Sequence, residues 1–297
     1  MSLCGHPAQL KDDGAHGYSR RMGSFRYVFA DVFTDVPFAG NQLAVFTDAR
    51  EITEEQLQPI AREINFSETV FVYPATGDGH ARIRIFTPTL ELPFAGHPVL
   101  GTAFVLGGPL QLDELWLETG AGIVPVRLER DGSQIVFGWM RQPPFPYEPY
   151  DGAEELLALL GLAESGLPVE LYRQGPGHVL IELASPEAVA ALRPDISALL
   201  ELNPYGSCCF ARDGEIWKAR VFVPAHGVGE DPATGSAAGP LALHLARHGR
   251  IAFGDEIEIR QGVELGRPST LYAVARSQEV VEVGGSAVLV ARGEFRL

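Results

Sequence analysis

The 297-residue sequence predicts an α+β fold made of two related lobes. Three observations carry this prediction. The stretch RIFTP at 84–88 resembles RVFVP at 220–224, about half the chain length away. Each stretch precedes a glycine that opens an apolar helix, Gly96 in the first half and Gly235 in the second. The last third of the chain, 257–297, alternates apolar and polar residues as strands do.

The elements of the first half follow from residue type and periodicity. Stretches rich in β-branched and aromatic residues, and one alternation of charged and apolar residues, predict strands over 26–34, 69–74 and 81–88. Between the first two strands, Thr53 and Gln56 have the spacing of a capping box, which predicts a helix over 53–64. Pro59 is an unfavourable residue inside that helix.

The second half begins after a proline-rich crossover at 142–152. Two outer helices are predicted downstream, over 153–162 and 186–194. Ser185 and Pro186 have the pattern of an N-cap followed by proline at the first helical position. Four strands are then predicted in the stretches EIEIR, TLYAVA, EVVEV and AVLVA.

The predicted domain organisation has three parts. Residues 1–24 lack the apolar core of a signal peptide and are predicted to be a flexible leader. Residues 25–142 together with 285–297 form the predicted N-terminal lobe, and residues 143–284 form the predicted C-terminal lobe.

Composition limits the classes of protein to which the chain can belong. The net charge of −15 argues against a nucleic-acid partner and against an anionic membrane surface, because both bind positive faces. No apolar run reaches membrane-spanning length. Cys4, Cys208 and Cys209 form neither a disulfide framework nor a metal-ligand pattern. We therefore expect core thiols in a reducing compartment and a cytoplasmic location.

The two apolar helices, predicted over 98–106 and 236–246, each have a polar residue that follows glycine at their start: His97 immediately before the first helix, and Ser236 as the first residue of the second. A helix that is apolar on all sides has to be buried on all sides, so each is expected to be wrapped by the sheet of its own lobe. Its N-terminus still carries unpaired N–H groups and partial positive charge, which suit a carboxylate.

These helix starts are candidates for an anion site. For either motif alone, an ordinary turn or helix cap is the better explanation, but both in matched positions of a repeat favour a site. We expect backbone N–H groups at 96–98 and 235–237 to hold a carboxylate across a cleft. His97 and Ser236 are expected to be added donors.

Three further polar residues have both a functional and a structural explanation. Glu68 precedes an apolar strand; it is either solvated, or it lies in the cleft with a pKa raised towards neutrality, as an acid–base catalyst needs. Asp231, in GEDPATGS, is either a turn aspartate or a partner of His97 or of the substrate. Asn41 follows a glycine and is either a turn residue or part of the site.

Other chemistries find little support in the sequence. It contains no HExxH, no P-loop and no GxGxxG after a strand, and no metal or cofactor is predicted. A hydrolase triad of Ser236, His97 and Asp231 stays open as an alternative, although TGSAAG is not the GxSxG of a nucleophile elbow. His226 has no supporting partner in the sequence and is interpreted as structural.

Five motifs resemble those of the PhzF-like phenazine-biosynthesis isomerase family: DVFTDVPFAGNQLAVF, NFSETVFVYP, FAGHPVLGTAF, GEDPATGSAAG and QGVELGRPS. The resemblance runs in order from about residue 26 to the C-terminus. It implies a fold similar to that of diaminopimelate epimerase, with two pseudo-symmetric lobes. Each lobe is then a mixed β-sheet curled around a central apolar helix, with the active site in the cleft between the lobes. It also implies a homodimer.

The resemblance also implies roles for particular residues. Glu68 is the expected proton carrier, assisted by His97, Asp231 and Ser236, in a cofactor-free isomerisation of a dihydro-hydroxyanthranilate. Further substrate contacts are expected from Asn41, Ser67, Gly96, Thr234 and Gly235.

Two departures from related proteins are visible in the sequence. The epimerases carry a cysteine before the glycine of each helix start, whereas this chain has Ala95 and Thr234 there, so a two-thiol mechanism is excluded. Gln42 stands where the PhzF-like family usually has proline, which is expected to alter the nearby turn without touching Glu68.

The sequence therefore predicts a cofactor-independent isomerase that moves a proton between carbons of a small carboxylate, with Glu68 as acid and base. Two alternatives stay open. One is a serine hydrolase that uses Ser236, and the other is a non-catalytic protein that binds a small acid.

Overall fold

The computed structural model describes residues 23–297, so the predicted leader lies outside the described residues except for Gly23 and Ser24. The first half of the described chain contains eight strands and two α-helices: β1 (Ser24–Val32), β2 (Asn41–Phe46), α1 (Glu54–Ile64), β3 (Glu68–Tyr73), β4 (Ala81–Phe86), β5 (Glu91–Leu92), α2 (Gly96–Leu110), β6 (Glu114–Thr119), β7 (Gly122–Asp131) and β8 (Gln134–Arg141). The second half contains ten strands and four α-helices: β9 (Tyr147–Pro149), α3 (Ala153–Leu159), β10 (Glu170–Tyr172), β11 (His178–Glu182), α4 (Pro186–Ala191), α5 (Ile196–Leu202), β12 (Gly206–Asp213), β13 (Ile216–Val223), β14 (Val228–Asp231), α6 (Gly235–Arg247), β15 (Glu256–Gln261), β16 (Ser269–Ala275), β17 (Val281–Gly285) and β18 (Ala287–Arg296).

The predicted repeat is visible in the strand pairings of the two halves. In the first half, β2 runs parallel to β3, β3 antiparallel to β4, and β4 parallel to β6. In the second half, β11 runs parallel to β12, β12 antiparallel to β13, and β13 parallel to β15. One central helix follows in each half, α2 between β5 and β6 and α6 between β14 and β15. The shared topology confirms the predicted α+β fold of two pseudo-symmetric lobes.

Both central helices are buried along most of their length. Every residue of α2 from Gly96 to Val105 is buried, and so is every residue of α6 from Gly235 to Ala246. Strands of the first half surround α2, and strands of the second half surround α6. Burial of an apolar side chain contributes about 1.5–3 kcal/mol, so packing against the sheets, and not helix propensity alone, stabilises these helices.

The two halves are joined by strand pairing at the C-terminal end of the second half. β17 pairs antiparallel with β8, and β18 pairs antiparallel with β1. The second pairing is the one expected if residues 285–297 belong to the N-terminal lobe. The predicted lobe boundaries at 142 and 284 stay a prediction.

Helices α1 and α4 begin at the predicted caps. Gln56 Oε1 accepts a hydrogen bond from the backbone N–H of Thr53 at 3.0 Å, and Ser185 Oγ accepts one from the backbone N–H of Ala188 at 3.2 Å. The sequence analysis missed α5. Its N-cap is Asp195, whose Oδ1 accepts from the backbone N–H groups at 197 and 198.

The adjacent cysteines Cys208 and Cys209 lie on β12 and contribute to different cores. Cys208 packs in the core around the two central helices, and Cys209 packs in a smaller core with residues of α3, α4 and α5. Burial raises the pKa of both thiols, as expected for core residues rather than reactive thiolates.

Among the helices of residues 23–297, none combines the length and the apolar character that crossing a membrane requires.

Candidate active site

The starts of the two central helices touch each other. A Cβ atom added at Gly96 would lie 2.6 Å from the carbonyl carbon of Gly235 and 2.8 Å from the backbone nitrogen of Ser236. Only a residue without a side chain permits this approach. Two helix N-termini therefore bring their unpaired N–H groups and partial positive charge to one place.

The expectation that N–H groups at 96–98 and 235–237 hold an anion needs a correction. Pro98 has no N–H group. The N–H group of Ala237 donates to the carbonyl oxygen of Thr234 at 3.0 Å. Two N–H groups at each helix start, at 96–97 and at 235–236, fit the role of anion donors.

A cleft beside the helix starts brings the predicted site residues together. All predicted site residues except Asn41 line it: Ser67, Glu68, Gly96, His97, Asp231, Thr234, Gly235 and Ser236. Glu68 comes from β3 and Asp231 from β14, so each half supplies one carboxyl group.

Glu68 is the first residue of β3, and its Oε2 atom points to a histidine. This atom lies 3.2 Å from Nε2 of His97, and both atoms are otherwise without a hydrogen-bond partner in the described chain. Burial, and next the charge of Asp231, raise the pKa of Glu68 well above its usual range. A raised pKa makes the carboxylate a stronger base and keeps its acid form available near neutral pH, as proton transfer in both directions requires.

Asn41 lies behind the cleft and holds two of the residues that line it. It is completely buried, and its Nδ2 atom lies 2.8 Å from Oδ1 of Asp231, 2.9 Å from the carbonyl oxygen of Ala233 and 3.1 Å from Nδ1 of His97. These contacts give Asn41 an orienting position, and its predicted contact with the substrate stays a prediction. Burial lowers the pKa of His97 to about 3, so this ring is neutral at physiological pH.

Asp231 is held by hydrogen bonds from both halves. Besides the bond from Asn41, its Oδ2 atom accepts a hydrogen bond from Thr234 Oγ1 at 2.6 Å. Burial raises the pKa of Asp231 to about 6, and hydrogen bonds from Thr234, Asn41 and Ser67 oppose this effect. Two carboxyl groups with little exposure to solvent thus share the cleft, and the charge of one disfavours ionisation of the other.

The sequence analysis missed Gln261, which braces the loop between Asp231 and α6. Its Nε2 atom donates to the carbonyl oxygen of Asp231 at 2.8 Å, and its Oε1 atom accepts from the backbone N–H of Thr234 at 3.1 Å. Gln261 is the first residue of the motif QGVELGRPS, and its place in that motif was the sequence signal that could have pointed to a role in the site.

Two histidines of the second half also lie at the cleft, and the sequence analysis placed neither of them in the site. His178, at the start of β11, lies 2.9 Å from Ser236 Oγ through its Nε2 atom. His226, which the sequence analysis interpreted as structural, lines the cleft. Both histidines stand alone in the sequence, outside any local motif, so only their tertiary contacts connect them to the site.

One group of residues with metal-ligand chemistry lies elsewhere in the described chain, formed by Glu170, His244 and His248. Arg247 Nη1 lies 2.5 Å from Glu170 Oε2, and its guanidinium stacks 3.6 Å from the ring centroid of Tyr147. A guanidinium that already neutralises the carboxylate opposes a divalent cation at the same oxygen. The group is therefore a buried ion-pair network.

A cleft between matched helix starts, with one carboxyl group from each lobe, defines a two-lobed epimerase-like enzyme. The chain belongs to the family described as phenazine biosynthesis-like protein (PhzC-PhzF), whose sequence profile matches residues 30–293. It is 50% identical over 276 residues to trans-2,3-dihydro-3-hydroxyanthranilate isomerase of Pseudomonas aeruginosa. The aligned residues cover 92% of this chain and 99% of that protein. The predicted family is thereby confirmed, and the protein is an isomerase.

Solved structures confirm the fold. A predicted epimerase from Pseudomonas aeruginosa superposes with a TM-score of 0.78 at 33% identity, covering 91% of this chain and 99% of that one. A hydroxyproline epimerase from Agrobacterium vitis gives a TM-score of 0.67 at 15% identity, covering 94% of this chain and 93% of that one. The second similarity shows the fold alone, which PhzF-like proteins and these epimerases share.

Proposed function

We propose that this isomerase moves a proton between two carbons of a small carboxylate without a cofactor, with Glu68 as acid and base. The observation that carries the proposal is the position of Glu68 and Asp231. Both line the cleft beside two helix N-termini; Asp231 is buried and the Glu68 side chain is 14% exposed. Glu68 lies next to the neutral ring of His97. The proposed substrate is trans-2,3-dihydro-3-hydroxyanthranilate, after which the Pseudomonas aeruginosa relative is named.

The proposed reaction needs a base, an acid and a place for the carboxylate. Glu68 takes a proton from one ring carbon, and the electron pair of the broken C–H bond enters the conjugated system of the substrate. Glu68, now protonated, returns the proton to another carbon on the same face. His97 and Asp231 orient the substrate and stabilise the charge that develops, while the N–H groups at 96–97 and 235–236 hold the carboxylate.

The serine-hydrolase alternative is not supported by the contacts of Ser236. Its hydroxyl oxygen is hydrogen-bonded to His178 and not to His97, as the suggested triad would require. Nδ1 of His178 has no partner in the described chain, so the carboxylate that orients a catalytic histidine is missing there.

The experiment that tests the proposal compares Glu68→Gln with the wild type in D₂O. The amide keeps the shape of the side chain but cannot carry the proton, so deuterium uptake into the substrate should stop while substrate binding stays within a few-fold. Glu63→Gln, at an exposed position of α1, is the matched control and should exchange at the wild-type rate. Full exchange by Glu68→Gln would reject Glu68 as the proton carrier.

We also propose that the protein is a cytoplasmic homodimer. The family resemblance supports the dimer, and so do Trp116 and Ile123, which are exposed apolar side chains on the neighbouring strands β6 and β7. The two free buried thiols, Cys208 and Cys209, fit a reducing compartment. Light scattering coupled to size-exclusion chromatography would detect a monomer and so overturn the dimer.

A further inference from the structure

His178 and Ser236 form a buried hydrogen-bonded pair at the start of α6. Nε2 of His178 lies 2.9 Å from Oγ of Ser236; the histidine is completely buried and the serine is 4% exposed. Gly175 and Gly177 adopt left-handed φ angles of 57° and 81° in the turn before β11. Gly206 leaves room for the ring, since a Cβ atom there would lie 2.5 Å from Nδ1 of His178. The local backbone is therefore shaped around this ring.

The ring of His178 carries one proton, and its surroundings decide where. Burial, with a smaller effect of His226, lowers the pKa of His178 to about 3, so the ring is neutral at physiological pH. Nδ1 is buried without a hydrogen-bond partner among residues 23–297. Buried N–H groups without an acceptor are rarer in proteins than buried acceptors without a donor. The missing partner at Nδ1 therefore favours the tautomer with the proton on Nε2, in which Nε2–H donates to Ser236 Oγ.

We propose that His178 is a positioning residue that makes Ser236 a hydrogen-bond donor to the carboxylate of the substrate. A hydroxyl that accepts from Nε2–H keeps its own hydrogen and directs it to another acceptor. Ser236 lines the cleft, so that acceptor is the bound anion. A carboxylate can only accept, and it binds a hydroxyl that offers its hydrogen. The inference rests on the proposed function, because it takes the substrate to be a carboxylate.

The first half contains a matching pair of residues. Asn41, the first residue of β2, contacts His97, which follows Gly96 at the start of α2. His178, the first residue of β11, contacts Ser236, the second residue of α6. β2 and β11 are corresponding strands of the repeat. β2 runs parallel to β3 in the first half, and β11 runs parallel to β12 in the second half. In each half, the first residue of the corresponding strand, β2 or β11, thus contacts the polar side chain at the start of the central helix.

The first test measures the position of the proton in the wild-type protein. Nitrogen-15 NMR of histidine-labelled protein distinguishes a protonated ring nitrogen from a bare one, and the His178 signals are assigned by their loss in His178→Gln. We expect a protonated Nε2 and a bare Nδ1. A proton on Nδ1 would make Ser236 the donor to His178 and would overturn the inference without any need for an active variant.

The second test measures binding by calorimetry with two probes. One is 3-hydroxyanthranilate, the aromatic analogue of the proposed substrate, and the other is 2-aminophenol, which lacks the carboxylate. Ser236→Ala should weaken binding of 3-hydroxyanthranilate about tenfold, because it removes one hydrogen bond to a charged group. His178→Leu should have a similar effect, because it removes the contact that directs the Ser236 hydroxyl towards the carboxylate. The double variant should bind 3-hydroxyanthranilate as tightly as Ser236→Ala alone, because both changes act through one hydrogen bond.

His178→Gln is the conservative control. Its amide N–H group can take the place of Nε2–H, so the affinity for 3-hydroxyanthranilate should be largely retained. Binding of 2-aminophenol should be unchanged in all variants. Additive losses in the double variant, or an equal loss with 2-aminophenol, would show a general structural role and overturn the inference.

The outcome is separable from that of the proposed function. Neither measurement needs turnover, so full proton exchange by Glu68→Gln would reject the proposed shuttle and leave the His178 result standing. If the wild type binds 2-aminophenol as well as 3-hydroxyanthranilate, carboxylate recognition fails, and with it both the proposed substrate class and the role of His178.

Discussion

The two halves of the molecule share one topology but place their acids at different positions. The repeat matches Arg84 on β4 with Arg220 on β13, and the register of these strands with their neighbours aligns Glu68 with Gly206. Both residues begin their strands, β3 and β12. The first half therefore has its acid where the second half has glycine.

The second acid shows the reverse arrangement. Asp231 on β14 pairs in register with Val221, and Leu92 on β5 pairs with Ile85 at the matching place of the first half. Asp231 is thus aligned with Leu92, which also lines the cleft. Each half supplies one carboxyl group from a position at which the other half has a residue that cannot ionise.

This difference shows what a duplicated scaffold fixes and what it leaves free. Both halves supply a glycine at a helix start, and the close contact of the two glycines needs this symmetry. The reactive groups have no such constraint. Glu68 occupies its side of the cleft, while the matching Gly206 leaves space for the ring of His178, which contacts Ser236. An acid–base side and an anion-binding side thus arise from one repeated plan.

Removal of the second acid is expected to have the largest effect. Asp231→Asn should lower kcat by about 10²–10³-fold, the usual cost of removing one group that stabilises the charge developing in the transition state. Because the charge of Asp231 raises the pKa of Glu68, its loss lowers that pKa. The increase in kcat/KM that accompanies ionisation of Glu68 should then move to lower pH, as pH–rate profiles of the variant and the wild type would show.

An exposed aspartate provides the control for this prediction. Asp213→Asn, at the exposed end of β12, should leave both the rate and the profile unchanged. If the profile of Asp231→Asn keeps its position on the pH axis, the two acids of the cleft are not coupled, and the comparison of the halves loses its functional meaning.

The matched arginines of the two halves allow a test of burial. Arg220 pairs with Glu230 at 2.7 Å, with side chains that are 6% and 11% exposed. Arg84 pairs with Glu91 at 2.6 Å, and this glutamate is 41% exposed. Arg220→Met should lower the free energy of unfolding by about 3–5 kcal/mol, because it leaves a buried carboxylate unpaired. Arg84→Met should cost only about 0.2–1 kcal/mol.

Urea unfolding of the two arginine variants provides the measurement, with m-values to check that both unfold in the same way. Equal losses of stability would mean that burial does not distinguish the two ion pairs. Neither arginine lines the cleft, so the remaining folded protein should keep the proton-exchange activity of the wild type.

The predictable part of the site lies in short local motifs. Glu68 in SET, His97 in GHP and Ser236 in TGS each stand beside a strand or helix start that residue type and periodicity reveal. The repeat then places the two helix starts opposite each other. The fold was predictable for the same reason, since both copies of the pattern survive in the sequence.

The missed part consists of tertiary contacts between distant segments. His178 begins the short apolar strand HVLIE, which carries no local motif, and Gln261 begins a motif that does not reveal its contact with residues 231–236. Only the folded chain brings these two residues to the site. The position of Asn41 behind the cleft likewise depends on its bond to Asp231, far along the chain. The role given to Pro98 failed on elementary chemistry, because proline has no N–H group.

Contact between the helix starts is the symmetric feature, and Gly96→Ala tests it. The added Cβ atom would lie 2.6–2.8 Å from backbone atoms of Gly235 and Ser236, which cannot rotate away as a side chain can. The two helix starts must therefore separate by roughly 1 Å, and displacements of this size cost up to about 10²-fold in rate. Overpacking of this kind should also lower the free energy of unfolding by about 1–3 kcal/mol.

Gly108→Ala is the matched control for this change, because it lies in the same helix. Its Cβ atom would meet nothing within 4 Å, at an exposed position of α2. Alanine favours the helix over glycine by about 0.5–1 kcal/mol, and this gain offsets the crowding between its Cβ atom and the ring of the following Pro109. This variant should therefore stay within about 1 kcal/mol of the wild type in stability and be fully active. Thermal unfolding and deuterium uptake measured on both variants give the comparison. If Gly96→Ala exchanges deuterium as fast as Gly108→Ala, the close contact of the helix starts is not needed to place Glu68 and Asp231 around one substrate.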